Sequence, residues 1–109
     1  MKKTRILRLL RQFGFTPAQA RLYLAGVMLG PALMAVLSKE AGLPRSTAYY
    51  LMSELKRRGF FTSRMIGRRT YYAAASGQRL LLMTKRRELL IRRMLPILHT
   101  IQQNRFGRS

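Results

Sequence analysis

The chain has 109 residues, of which 22 are Lys or Arg and only 3 are acidic, giving a formal net charge of +19. Its 48% hydrophobic content supplies one modest core and excludes a disordered basic tail, and its length leaves room for one domain with little beyond it. Self-repulsion of this size opposes compaction, so the balance points to a polyanionic partner; the absence of Cys excludes disulfides and thiolate metal sites. A chain this short also gains from dimerisation. No apolar run approaches the roughly 20 residues a bilayer span requires, and no signal peptide follows the basic N-terminus, so a cytoplasmic location is expected.

In chain order, Ile6, Leu7, Leu10 and Phe13 fall at helical spacing and predict a first helix over 5–13, stopped by Gly14. Thr16-Pro17-Ala18-Gln19 then reads as a capping box with Pro at the first helical position. The helix it opens, about Pro17 to Met28, is expected to bury Ala20, Tyr23, Leu24 and Val27. Gly30-Pro31 ends it. A short helix, about Leu33 to Ala41, leads to the tight turn Gly42-Leu43-Pro44, and a further helix from Arg45 to Arg58 turns Ala48, Leu51, Met52 and Leu55 inward.

From Phe60 to Ala74 the composition shifts to aromatic and β-branched residues around Gly67, which predicts a β-hairpin with the basic tip Ile66-Gly67-Arg68-Arg69. Beyond Gln78 the chain reads as helix again. Leu80, Met83, Arg87, Leu90, Met94, Ile97 and Ile101 follow steps of three and four, the spacing of a coiled-coil seam. Leu81, Leu82, Leu89, Ile91, Leu95 and Leu98 widen the apolar surface. Pro96 is expected to kink or break this helix, and Asn104 to Ser109 to fray.

Two helices joined by a Gly-containing turn and followed by a basic hairpin form a winged helix-turn-helix. The expected fold class is therefore mainly α with a small β-hairpin, a winged helix-turn-helix plus a long C-terminal dimerisation helix. The domains are 1–75 for the DNA-binding module and 76–109 for the dimerisation helix and tail. In such a module the second helix of the pair enters the major groove and the wing lies along the backbone or minor groove.

The residues also carry a family resemblance. Gly14-Phe15-Thr16-Pro17-Ala18-Gln19-Ala20-Arg21-Leu22-Tyr23-Leu24, then Leu29-Gly30-Pro31-Ala32, resembles the opening of the TrmB-like transcriptional regulators. The likeness continues through Gly42-Leu43-Pro44-Arg45-Ser46-Thr47-Ala48-Tyr49 to Leu55 and Gly59, and through the wing Gly67-Arg68-Arg69-Thr70-Tyr71-Tyr72, covering roughly residues 6–75. It implies a prokaryotic, often archaeal, dimeric DNA-binding module whose recognition helix begins at Pro44-Arg45-Ser46. Many members carry a large C-terminal sugar-binding domain. Here only one helix follows the wing, so a small-molecule effector is not expected. A second departure is the apolar character of Leu33, Ala35 and Val36, where the family has polar residues and a capping Ser or Thr at position 33. These are either tolerated surface hydrophobes or an added contact surface for neighbouring protomers.

Candidate DNA contacts are Arg45, Ser46 and Thr47 at the start of the recognition helix, with helix capping as their alternative role. Tyr50 is expected to face outward with Ser53, while Tyr49 either touches DNA or packs at the domain edge. Arg68 and Arg69 at the wing tip are the clearest phosphate or minor-groove contacts. Arg64 either binds phosphate or solubilises a strand edge. Lys56 and Arg57, with Arg58, compensate the helix dipole and serve as secondary phosphate contacts. Tyr71 and Tyr72 are expected to divide between core and surface by strand alternation. The candidate dimer interface is Leu80, Met83, Leu90, Met94, Ile97 and Ile101.

His99 is the only histidine and the chain has no Asp, so a Ser-His-Asp relay is excluded; paired carboxylates, metal clusters and phosphate-binding Gly loops are not evident. No catalytic residue, metal or cofactor is expected. The expected partners are double-stranded DNA and a second copy of the chain, with no membrane. Two roles compete: a transcription regulator reading a palindromic operator, and a nucleoid-associated protein that coats or bridges DNA with little sequence preference.

Overall fold

The computed structural model describes residues 2–107, and the chain divides into two compact units, Met1–Ser76 and Gly77–Ser109. The first holds helices α1 (Lys2–Phe13), α2 (Pro17–Leu29), α3 (Met34–Ala41) and α4 (Arg45–Arg57) and strands β1 (Phe61–Ile66) and β2 (Arg69–Ala74). The second is one helix, α5 (Gly77–Gly107).

The capping box at α2 forms as its sequence requires. The Gln19 amide N–H donates to Thr16 Oγ1 at 3.2 Å, and the Thr16 N–H donates to Gln19 Oε1 at 3.0 Å. Two otherwise unpaired N–H groups at the helix start are thereby satisfied. The helix buries Ala20 and Tyr23 as expected, but Val27 is 54% exposed and Leu24 only half-buried. Leu22, Ala25 and Gly26 are buried instead. The cause is contact on two sides: α2 packs against α1, α3, α4 and β2, so its buried arc is wider than one amphipathic stripe.

Gly26 marks the closest of these approaches. A Cβ there would lie 2.7 Å from the Phe61 ring and 3.0 Å from Ala74 Cβ. Beside it sits an aromatic cluster that joins three chain segments. Phe15 meets Phe60 edge to face at 4.8 Å between centroids and Tyr23 at 5.5 Å, and Tyr23 meets Phe61 at 6.1 Å. Phe60, Phe61, Leu22, Leu37, Met52 and Leu55 are the largest fully buried side chains. The cluster fixes the C-terminal end of α4 and the base of the hairpin on one core.

Helix α4 presents Ala48, Leu51, Met52 and Leu55 to that core, as its spacing predicts. The hairpin pairs Phe61 with Ala74 through to Ile66 with Arg69, which leaves the two-residue turn Gly67-Arg68. Gly67 has φ +65°, and the described residues with positive φ are all Gly, so the turn is of the kind that places Gly first and matches the twist of the flanking strands. A feature absent from the sequence reading is a one-residue bridge: Ala32 and Tyr72 exchange backbone hydrogen bonds of 3.0 and 2.8 Å. It anchors the outer edge of β2 to the segment before α3.

Helix α5 continues through Pro96, so of the two outcomes expected there, a kink or a break, the break does not occur. Pro96 removes one intrahelical donor, but the turn beyond it is retained, with Thr100 Oγ1 donating to the Pro96 carbonyl at 3.0 Å. The expected fraying is also not seen over Asn104 to Gly107, which continue the helix; Arg108 and Ser109 lie outside the described residues. Leu80 and Met83 are half-buried, while Leu90, Met94, Ile97 and Ile101 are exposed, as are Leu81, Leu82, Leu89, Ile91, Leu95 and Leu98.

Candidate nucleic-acid interface

The helix-turn-helix pair is α3 and α4, and its turn is tightly closed: the Leu43 N–H donates to the Ser38 carbonyl at 2.9 Å. Pro44 occupies the cap position of α4 and no side chain caps that helix. The hydroxyls of Ser46 and Thr47 are therefore not spent on capping. Arg45, Ser46 and Thr47 are all exposed on the first turn, the part of a recognition helix that meets base edges most easily.

Two adjoining clefts separate α4 from the hairpin. One, about 460 Å³, is lined by Arg45 and Tyr49 from α4, by Arg68, Arg69, Thr70 and Tyr72 from the wing, and by Leu33, Met34 and Ala35. The other, about 450 Å³, lies between Tyr49, Met52, Ser53, Lys56 and Arg57 on α4 and Tyr72 on β2. Tyr49 and Tyr72 line both. The structure thus brings Arg45, Tyr49, Lys56, Arg57, Arg68 and Arg69 onto one concave, cationic surface.

The remaining candidates lie outside these clefts. Arg64 is registered opposite Tyr71, and Ser63 opposite Tyr72. Directly paired residues share a face of a hairpin and successive residues alternate, so Arg64 and Tyr71 project from the face opposite Tyr72. Tyr50 is 65% exposed and its hydroxyl donates to Glu54 Oε2 at 3.4 Å. Tyr71 and Tyr72 do occupy opposite faces, but both are half-buried rather than split between core and solvent.

Lys56 has a partner that sequence reasoning missed. Its Nζ donates to Ser63 Oγ on β1 at 2.6 Å. Thr70 and Tyr72, also unassigned beforehand, line the cleft together because strand residues two apart share a face. Burial, and after it the neighbouring Tyr49 phenol, raise the Tyr72 hydroxyl pKa above its ordinary value of 10.0. Tyr72 therefore stays neutral and can donate a hydrogen bond to an acceptor in the cleft.

One of the three acids, Glu54, partly offsets this surface through Arg57. Glu40 lies 3.7 Å from Lys3, Glu54 3.9 Å from Arg57 and Glu88 2.9 Å from Arg92. Each is occupied by a cation of its own. Among the described residues no group of three or more His, Cys, Asp or Glu could hold a metal ion, and no helix is long and apolar enough to cross a membrane.

Comparison with known proteins agrees with this geometry. A TrmB-type regulator of Pyrococcus furiosus, the HTH-type sugar sensing transcriptional regulator TrmBL1, is 37% identical over 60 residues, spanning 55% of this chain and 18% of that protein. The structure of TrmBL2, an archaeal chromatin protein, superposes with a TM-score of 0.84 at 20% identity, over 98% of this chain and 42% of that one. The transcriptional regulator Tm0710 of Thermotoga maritima superposes at 0.59 and 22% identity, over 98% of this chain and 89% of its own. The chain thus spans under a fifth of TrmBL1 and less than half of TrmBL2. The fold is that of winged helix-turn-helix regulators. Residues 10–77 match the family described as sugar-specific transcriptional regulator TrmB, and with well over half its length inside that match the chain belongs to the TrmB family.

Proposed function

We propose that the chain binds double-stranded DNA as a dimeric, TrmB-like transcription regulator. The observation that carries this reading is the convergence of Arg45 and Tyr49 on α4 with Arg68 and Arg69 on the wing around one cleft. Helix α4 enters the major groove with Arg45, Ser46 and Thr47 toward base edges, and Arg68 and Arg69 hold the flanking backbone or the adjacent minor groove. Lys56 and Arg57 add phosphate contacts at the far end of α4. The division of the chain at Ser76 supports a separate DNA-binding module followed by a dimerisation helix.

Dimerisation runs through α5. Leu90, Met94, Ile97 and Ile101 are 42% to 62% exposed and lie on one seam with Leu80 and Met83. Burying that seam against a second copy removes an apolar stripe from water, at roughly 25 cal/mol per Å². A two-fold dimer then sets two recognition helices about one turn of DNA apart. The protein acts in the cytoplasm, on the nucleoid.

A second reading, a chromatin protein that coats or bridges DNA, is favoured by one specific observation. The likeness to the archaeal chromatin protein TrmBL2 extends over 98% of this chain, α5 included, and basic residues occur on both units. Duplex titration of genomic fragments against random DNA of equal length separates the two. A preference on the order of a thousandfold marks an operator reader, and equal affinity with steep salt dependence marks an architectural protein. Absence of duplex binding at low salt overturns both.

A further inference from the structure

The seam proposed for α5 leaves the rest of the helix surface unaccounted for, and beside the exposed Leu81, Leu82, Leu89 and Leu95 one stripe of that surface is cationic. With Leu80, Met83, Arg87, Leu90, Met94, Ile97 and Ile101 in the seam, Lys85 and Arg92 take the outermost heptad position and Arg86 and Arg93 the flanking one. All four are exposed. Lys85 and Arg92 are seven residues apart, as are Arg86 and Arg93, so the two pairs of cations sit about 10.5 Å apart along the axis.

A coiled coil normally neutralises its flanking charges with acids from the facing helix. Here the residues on the other flank are Thr84, Ile91 and Leu98, so neither a parallel nor an antiparallel partner supplies a carboxylate. The single acid of the segment, Glu88, is held by Arg92 through contacts of 2.9 Å at both Nε and the guanidinium terminus. Pairing two copies therefore doubles the charge on the outer surface without offsetting it, and the neutralising partner must be an external polyanion.

We propose that Lys85, Arg86 and Arg93, with Arg92, form a second duplex-DNA site, so that the protein holds one duplex on its winged unit and another on α5. This rests on the reading that the winged unit binds duplex DNA. The axial spacing of the two pairs is comparable to the roughly 12 Å width of a major groove, so they reach phosphates on the two strands that flank it. Residues 77–105 contain no Phe, Tyr or Trp, which disfavours a single-strand site built on base stacking. Contacts to phosphate alone carry no sequence information, so this second site accepts any duplex.

The test uses the full chain, one duplex fixed to beads and a second, fluorescent duplex in solution. Wild type binds a single duplex and carries the second onto the beads. Lys85→Gln/Arg86→Gln/Arg93→Gln is expected to keep single-duplex affinity within about threefold and to lower capture of the second duplex by about tenfold or more. Its seam is untouched, so sedimentation should report the wild-type assembly state. Lys85→Arg/Arg86→Lys/Arg93→Lys retains the charge and should retain capture. Unchanged capture by the Gln variant assigns bridging to the two winged units of a dimer and overturns the proposal. So does wild type that binds one duplex and never captures a second, or whose α5 cations bind phosphatidylglycerol vesicles in place of the second duplex. Wild type that binds no duplex at all overturns the winged-unit reading as well, and is told apart by that first step.

Discussion

Lys56 in the last turn of α4 donates a 2.6 Å hydrogen bond to Ser63 on the first wing strand. It ties together the two elements that line the proposed DNA cleft. Both side chains are exposed, so the bond contributes on the order of 1 kcal/mol or less. Ser63→Ala removes the acceptor and no cation. Duplex affinity should fall about two- to fivefold with an unchanged salt slope, whereas Lys56→Ala, which also removes a phosphate contact, should lower affinity and reduce the slope by about 0.9 per protomer. Titrations at several salt concentrations distinguish them.

Arg45 and the wing-tip pair should separate in the same way. Arg68→Gln/Arg69→Gln is expected to weaken every duplex alike and to reduce the salt slope by about 2 per protomer. Arg45→Gln, at the start of α4, should instead erase preference between sequences, by about 1–3 kcal/mol at the affected base pair.

Gly26 sits inside α2, where Ala would ordinarily be favoured by helix propensity. Contact with Phe61 reverses that expectation, since an added Cβ meets the buried ring at 2.7 Å. Gly26→Ala should destabilise the fold by about 1–3 kcal/mol in denaturant titration, as overpacking does. Thr16→Ala should cost about 1 kcal/mol through loss of the capping box.

The Tyr23 hydroxyl donates to the Ala75 carbonyl at 2.6 Å, and burial raises its pKa above 10.0. The folded chain therefore keeps this proton to higher pH than the unfolded chain. The stability it contributes is complete below the unfolded value of 10.0 and is lost as pH rises through the folded one. Tyr23→Phe should cost about 1 kcal/mol near neutral pH and should lessen the alkaline loss. Urea unfolding followed on both sides of the unfolded value measures both effects.

The proposed seam predicts a dissociating variant. Leu90→Glu/Ile97→Glu places carboxylates where the helices would meet, and sedimentation should report a monomer. Affinity for DNA carrying two half-sites should fall more than tenfold, because each module then binds alone, while a single half-site is little affected.

Most of the fold was legible because its punctuation is local. Thr16-Pro17-Ala18-Gln19, the turn ending in Pro44 and Gly67 each act within a few residues, and each element they delimit is present. What escaped reading is non-local. Val27 is exposed and Leu22 buried because α2 is packed on several sides, which a single helical stripe does not encode. The Ala32–Tyr72 bridge and the Lys56–Ser63 bond join residues that nothing nearby in the sequence pairs. Pro96 is a strong local signal, but it costs one hydrogen bond and the long helix continues past it without a break. At the candidate site, the cationic residues were evident from charge and turn position, while Thr70 and Tyr72 needed the register of the wing.

The most direct test of duplex binding by the cleft between α4 and the wing is the affinity of the wild-type chain for duplex DNA as a function of salt. Neutralisation of about eight phosphates per dimer predicts a log–log slope near −7, reduced to about −3 to −4 when Arg68→Gln/Arg69→Gln removes two contacts from each protomer. No duplex binding at low salt, or a slope that the wing-tip substitutions leave unchanged, would contradict it.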